Sequence, residues 1–252
     1  MRLWLLRHAT LHVTAGGLRL LVDPQLDAAG ARPPIEDTPN PRRNPLVELP
    51  EPAQVAVTGV DAVLVTHTHE DHLDATALEL LPRDVPVLCQ PPDVETLRGH
   101  GFSDVRPVDD SRSLDPLQVT RTGGRHGTGE IGAAMGPVSG FVITGPDEPV
   151  LYIAGDTIWA DEVADAIDRH APAVVVVNAG AARFTTGDPI TMTADDVVTV
   201  ARHAPGARVV AVHLEAINHC GLTRADLHQR LQEEDLTERV TVPEDGAEVP
   251  LP

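Results

Sequence analysis

The stretch Ala62-Val63-Leu64-Val65-Thr66-His67-Thr68-His69-Glu70-Asp71-His72 decides how the rest of the chain reads. It opens on a short apolar run rich in β-branched residues, the pattern of a buried strand. It then places four ligand-type side chains, His67, His69, Asp71 and His72, within six residues. His67 and His69 are two apart, so in extended backbone both imidazoles leave on the same side. Two imidazoles on one side suit a borderline cation such as zinc. Past the turn, Asp71 and His72 can face a second position nearby. This is not the helical His-Glu-x-x-His arrangement, because His69 and His72 are three apart and the context is strand-to-loop.

Working outward, residues 3–6, 10–14 and 18–22 read as short strands, with Gly16-Gly17 as a hairpin turn. Residues 24–54 hold eight of the 23 prolines and no periodic segment, so a long loop insert is expected there. From Val60 onward strands alternate with helices. Strands are expected at 62–66, 85–89, 105–108, 114–122, 173–177 and 207–212, and a hairpin joins 140–144 to 150–154. Helices are expected at 75–81, 93–99, 160–170, 193–203 and 223–233, with Thr193 and Thr223 as N-caps. Strands first and strand–helix alternation afterwards predict an α/β chain of two sheets with helices outside. A single domain over residues 1–252 accommodates this pattern.

Composition narrows the function. The formal net charge is −19, which disfavours phosphate backbones and anionic membranes, so neither nucleic acid nor membrane is expected as a partner. All 19 basic residues are arginine, which excludes Schiff-base and P-loop lysine chemistry. Two cysteines, Cys89 and Cys220, are too few for a disulfide framework. No apolar run approaches the roughly 18 residues of a spanning helix. Arg7 interrupts the first apolar run too early for a signal peptide, so a cytoplasmic protein acting on a small molecule is expected. Whether it forms a homo-oligomer stays open.

The run His67-x-His69-x-Asp71-His72 resembles the hallmark of the metallo-β-lactamase superfamily. Arg125-His126-Gly127, Gly155-Asp156-Thr157 after an apolar run, and His213 at the end of another fit the remaining family positions in order. The resemblance spans nearly the whole chain and implies a four-layer αββα sandwich. It implies a metal held by His67, His69 and His126, a second held by Asp71, His72 and His213, and Asp156 between them. The cofactors implied are two divalent ions, zinc first and manganese or iron as alternatives. Arg7-His8-Ala9-Thr10 further resembles the start of the ascorbate-6-phosphate lactonase-like subgroup, although Arg7 replaces the usual glycine.

The expected activity is hydrolysis of a small ester, lactone or phosphoester by a metal-bridging hydroxide. Asp71, His8 and His219 are the candidate catalytic groups for orienting water and moving protons. Phe184 and residues 185–189 are expected to shape the substrate pocket; Arg7, Arg125, Arg183 and Arg224 are candidate anion contacts, with a surface ion pair the favoured expectation for each. His12, His100, His170, His203 and His228 read as surface or helix-end residues. The alternatives are a phosphodiesterase or nuclease of the same fold and a non-catalytic metal-binding module.

Overall fold

The computed structural model describes all 252 residues. The chain begins with three strands, β1 (Arg2–Arg7), β2 (Thr10–Ala15) and β3 (Leu18–Val22), linked as antiparallel neighbours. A long segment carrying only the short helix α1 (Ala53–Ala56) follows. Then come β4 (Ala62–Val65), α2 (Ala75–Leu80), β5 (Val87–Cys89), a 3-10 turn at Pro91–Asp93, α3 (Val94–Gly99) and β6 (Val105–Pro107). The second half contains β7 (Ser111–Leu114), β8 (Leu117–Thr122), α4 (Gly129–Met135), β9 (Gly140–Thr144), β10 (Leu151–Ile153), α5 (Asp161–His170) and β11 (Val174–Asn178). It closes with α6 (Ala194–His203), β12 (Arg208–Val212), α7 (Arg224–Glu233), β13 (Val240–Thr241) and β14 (Glu248–Val249).

Two seven-stranded sheets result, in the orders β14-β1-β2-β3-β4-β5-β6 and β13-β12-β11-β10-β9-β8-β7. Alternation along the strands explains the layers. In β11, Val174 and Val176 face the core between the sheets, with Leu5, Val13, Leu64, Phe141 and Val212. Val175 and Val177 face the other way, onto Val163 and Ile167 of α5 and Val197 and Val200 of α6. On the outside of the first sheet, Leu21, Val63 and Val87 pack against Ala77 of α2 and Leu97 of α3. Sheets buried on both faces give near-continuous Val/Leu runs. The arrangement is the expected αββα sandwich. Helix α6 starts at a capping box: Thr193 accepts from the Asp196 N–H, and the Asp196 carboxylate accepts from the Thr193 N–H and hydroxyl.

Three expectations change. Residues 114–122 are not one strand: β7 and β8 are antiparallel partners that turn at Asp115-Pro116. Helix α4 was not legible, because Gly-Glu-Ile-Gly-Ala-Ala-Met carries no apolar stripe and buries no residue. His12 is only 5% exposed rather than on the surface. It does point away from Leu11 and Val13, onto the outer face of the sheet, where it sits in the wall of a cavity it shares with Arg2, Trp4, Arg19, Pro50 and Glu51. No helix is long and apolar enough to cross a membrane.

Candidate metal centre

Strand direction gathers the site. β3, β4 and β5 run parallel, and β1, antiparallel to β2, runs with them. β10, β11 and β12 also run parallel, with β8 in the same sense across β9. The residues just past the carboxyl ends of these strands therefore share one edge of the sandwich, where α/β sheets place their ligand sites. His8 follows β1, Asp23 follows β3, and His67 comes just after β4. His126 follows β8, Asp156 follows β10, and His213 follows β12.

All seven residues expected to hold metals converge. Three groups of ligand atoms each lie within 4.8 Å of one another: His67, His69 and His126; His8, Asp71, His72 and His213; and His67, His72 and Asp156. Asp156 is central. Its Oδ2 lies 3.3 Å from His72 Nε2, 3.5 Å from His126 Nε2 and 3.9 Å from His67 Nε2, and its Oδ1 lies 3.4 Å from His213 Nε2. Asp71 Oδ2 faces Nε2 of His8 at 3.4 Å, of His213 at 3.6 Å and of His219 at 3.8 Å. His8 thus joins the second group more closely than its sequence position announced.

The donor set suits cations. Nε2 of His72 and Nε2 of His213 are buried with no hydrogen-bond partner, although each faces a carboxylate. Lone pairs and carboxylates converging on the same buried points form a cation environment, since unpartnered buried nitrogens otherwise cost stability. Without an ion the two rings take up protons instead: the facing carboxylates hold His72 well above the usual imidazole value and His213 at about 10 against the pull of burial, and these positive charges in turn hold Asp71 and Asp156 well below the usual carboxyl range. Burial pushes His67 and His8 well below the usual imidazole value and takes His219 down to about 4, so these rings are neutral near pH 7.

The outer nitrogens are held from behind. His72 Nδ1 donates to Asp23 Oδ2 at 2.9 Å, and His126 Nδ1 donates to the Ile190 carbonyl at 2.7 Å. His67 Nδ1 lies 3.1 Å from Thr66 Oγ1, which itself donates to Asp23 Oδ2 at 2.7 Å. Asn178 Nδ2 donates to Asp156 Oδ1 at 2.6 Å. Such partners fix tautomer and ring orientation. Asp23 and Asn178 escaped the sequence reading. Asp23 carries the signal that singled out Asp156, an acid directly after a buried apolar strand.

A cavity of about 270 Å³ opens over this edge. His69, Asp71, His126, Asp156 and His219 form its floor, and Met135, Phe184, Ile190 and Ile217 line its sides. Its roof is the proline-rich insert, through Arg32, Pro33, Pro34, Ile35 and Asn44. Asn218 pins that roof. Its side-chain amide donates to Thr38 Oγ1 and to the Ile35 and Asn40 carbonyls, and its carbonyl accepts from the Ile35 N–H and Asn44 Nδ2. Arg32 is bound to Asp27 at 2.9 Å and lies 3.5 Å from Glu70.

None of the four arginines considered as anion contacts lines this cavity. Arg7 is fully buried, donating to Gln25 Oε1 and to the Gln25, Asp27 and Val47 carbonyls. Arg125 pairs with Glu162, Arg224 with Glu215 and Asp245, and Arg183 is exposed. Phe184 does reach the cavity, as expected.

Residues 18–214 match the family described as "Beta-lactamase superfamily domain". The chain belongs to that superfamily. Over 249 residues it is 36% identical to the UPF0173 protein YddR of Bacillus subtilis, covering 98% of each chain. A UPF0173 metal-dependent hydrolase of Azorhizobium caulinodans is 30% identical over 197 residues, 74% of this chain and 76% of that protein. The crystal structure of an isothiocyanate hydrolase from Delia radicum gut bacteria superposes with a TM-score of 0.95 at 35% identity, over 100% of this chain and 99% of the other. Family and cluster together make the chain a metal-dependent hydrolase of the beta-lactamase fold.

Proposed function

We propose that this hydrolase uses two metal ions on small, uncharged, apolar electrophiles, with an isothiocyanate as the leading substrate class. The observation that carries this reading is the cavity wall. Pro33, Pro34, Ile35, Met135, Phe184, Ile190 and Ile217 face the His/Asp floor, and the one arginine among them, Arg32, already serves Asp27 and Glu70. Arg32 is the single guanidinium a phosphate or carboxylate would meet in this wall, and two acids already draw on its charge. An apolar tail would lie against the apolar part of this wall. The likeness to the isothiocyanate hydrolase covers the whole chain and points the same way. Esters and lactones, also uncharged, stand second, and the N-terminal resemblance to lactonase-like hydrolases keeps lactones in the test. Phosphoesters and nucleic acids stand last.

In this reading His67, His69 and His126 hold one ion, Asp71, His72 and His213 hold the other, and Asp156 lies between them. Zinc suits the donor set, as do manganese and iron. When bound, such a pair acts as a Lewis acid and brings a water's pKa toward 7. The chain supplies the rest. Asp71, kept ionised, accepts a hydrogen bond from the attacking water and orients it. His8 and His219 are neutral imidazoles on either side of Asp71 Oδ2, placed to relay a proton. The apolar wall excludes bulk water around the reacting carbon. For an isothiocyanate, water adds its oxygen to the central carbon and a proton to nitrogen. The resulting thiocarbamic acid separates into an amine and carbonyl sulfide, so atoms balance.

The test is a panel assay on metal-loaded protein: benzyl isothiocyanate, p-nitrophenyl acetate, a γ-lactone and bis(p-nitrophenyl) phosphate. Hydrolysis of the isothiocyanate with kcat/KM well above the phosphodiester is expected. A faster phosphodiester overturns the substrate assignment, and protein carrying two equivalents of metal that hydrolyses nothing turns the site into a binding module.

A further inference from the structure

The outer nitrogens of the clustered imidazoles do not all meet the same kind of partner. His72 and His126 each donate from Nδ1 to an oxygen that can only accept, a carboxylate and a backbone carbonyl. His67 faces a hydroxyl whose own proton is committed to Asp23. In all three the oxygen enforces the Nδ1–H tautomer and leaves the Nε2 lone pair free for a cation. The partner of His213 is sulfur: Cys220 Sγ lies 3.5 Å from His213 Nδ1.

We propose that Cys220 is a positioning residue that sets the tautomer of His213, and through it the grip on the second of the two ions. The inference rests on the two-ion reading above. A thiol is ambivalent where a carboxylate or carbonyl is not. When Sγ accepts from Nδ1–H, Nε2 presents its lone pair toward Asp71 and Asp156, 3.6 and 3.4 Å away. When S–H donates to Nδ1, the ring proton sits on Nε2 and faces those carboxylates instead. Cation binding selects the first arrangement, and the weak acceptor strength of sulfur makes that selection less costly to reverse.

The surrounding backbone is shaped to bring this pair together. His213 sits at φ +66, with its N–H donating to the His8 carbonyl at 2.8 Å. Gly180 packs against both partners. A Cβ there would lie 2.8 Å from Cys220 Sγ and 3.0 Å from His213 Nδ1 and would collide with the His213 carbonyl. The imidazole is therefore held by backbone on one side and sulfur on the other, with no oxygen acceptor at Nδ1. Of the two imidazoles assigned to the second ion, His72 is backed by the Asp23 carboxylate and His213 by sulfur, so the grip on that ion is softest at His213.

Metal-free wild type, Cys220→Ala and Cys220→Ser, each checked for an unchanged far-UV spectrum, are titrated with zinc against a chromophoric chelator. Long-range proton–nitrogen NMR reports the His213 tautomer in the same samples. Wild type is expected to bind two equivalents, the second more weakly. Cys220→Ala is expected to weaken only the second, by about ten- to a hundredfold. Cys220→Ser, whose hydroxyl is the better acceptor, restores or exceeds wild-type affinity and shows Nδ1–H on His213. A second equivalent bound as tightly by Cys220→Ala, equal weakening of both equivalents, or failure of serine to rescue overturns the proposal. Wild type that binds a single equivalent instead overturns the two-ion reading on which it rests.

Discussion

Beneath the cavity, eight side chains arrive at one edge from strands and turns whose backbones are held by neighbouring strands. Above it, residues 31–46 join no sheet: they carry one isolated bridge, Arg32 to Asn44, and scattered backbone bonds such as Leu46 N–H to the Ala216 carbonyl and Thr185 N–H to the Asp37 carbonyl, and side chains reaching in from elsewhere supply much of the rest. The floor is rigid because sheet ladders fix where its ligands start. The roof is placed by Asn218 from one end and by Arg7, beneath Gln25, Asp27 and Val47, from the other. Chemistry built on strand ends and selectivity built on a pinned loop are separable, as loops on rigid scaffolds commonly are. The two should respond differently to substitution.

The sharpest break is at the floor. Asp71→Ala should lower kcat by about 10³-fold or more while the thermal unfolding midpoint stays near that of wild type at matched metal content. Retained turnover, measured on the panel's best substrate, removes Asp71 from the chemistry. Dialysis against a chelator should abolish activity, and stoichiometric zinc, manganese or iron should restore it.

The roof's anchors come next. Arg7→Met leaves a buried side-chain carbonyl and three backbone carbonyls without their donor and should cost about 3 kcal/mol of unfolding free energy in urea titrations. A shift below about 1 kcal/mol would mean that water or a neighbouring donor replaces it. Asn218→Ala should raise KM about tenfold with kcat and metal content unchanged, since it loosens the cover and touches no ligand. An equal fall in kcat would join roof and floor and dissolve the distinction. The mildest case is Phe184→Ala, expected to raise KM by about tenfold or less for substrates with apolar tails and to leave small esters unaffected.

The floor was legible because its signals are local. His67, His69, Asp71 and His72 sit within one turn of chain, and Asp156 and His213 each follow an apolar run that could only be a buried strand. Asp23 follows such a run too, and the same argument extended to residue 22 would have found it. The roof was legible only as a loop. Prolines announce the absence of regular structure, but nothing local tells Ile35 that its partner is Asn218, 183 residues on. Among the arginines, Arg125 and Arg224 do sit in ion pairs, the favoured expectation, whereas Arg7 shows that a guanidinium with five donors also satisfies buried carbonyls. His12 was expected at the surface, yet it is buried in the wall of a cavity whose other side comes from residues distant in sequence, Pro50 and Glu51 among them.

Arg7 immediately precedes His8, so the residue rooting the insert and one of the imidazoles beside Asp71 share a peptide bond. A chimera that imports a different 24–47 segment to change substrate preference would therefore leave an orphaned guanidinium one residue from the reacting groups. Recombination between relatives should succeed when the crossover carries the strip from position 7 onward as one block, and fail when it falls between 8 and 24.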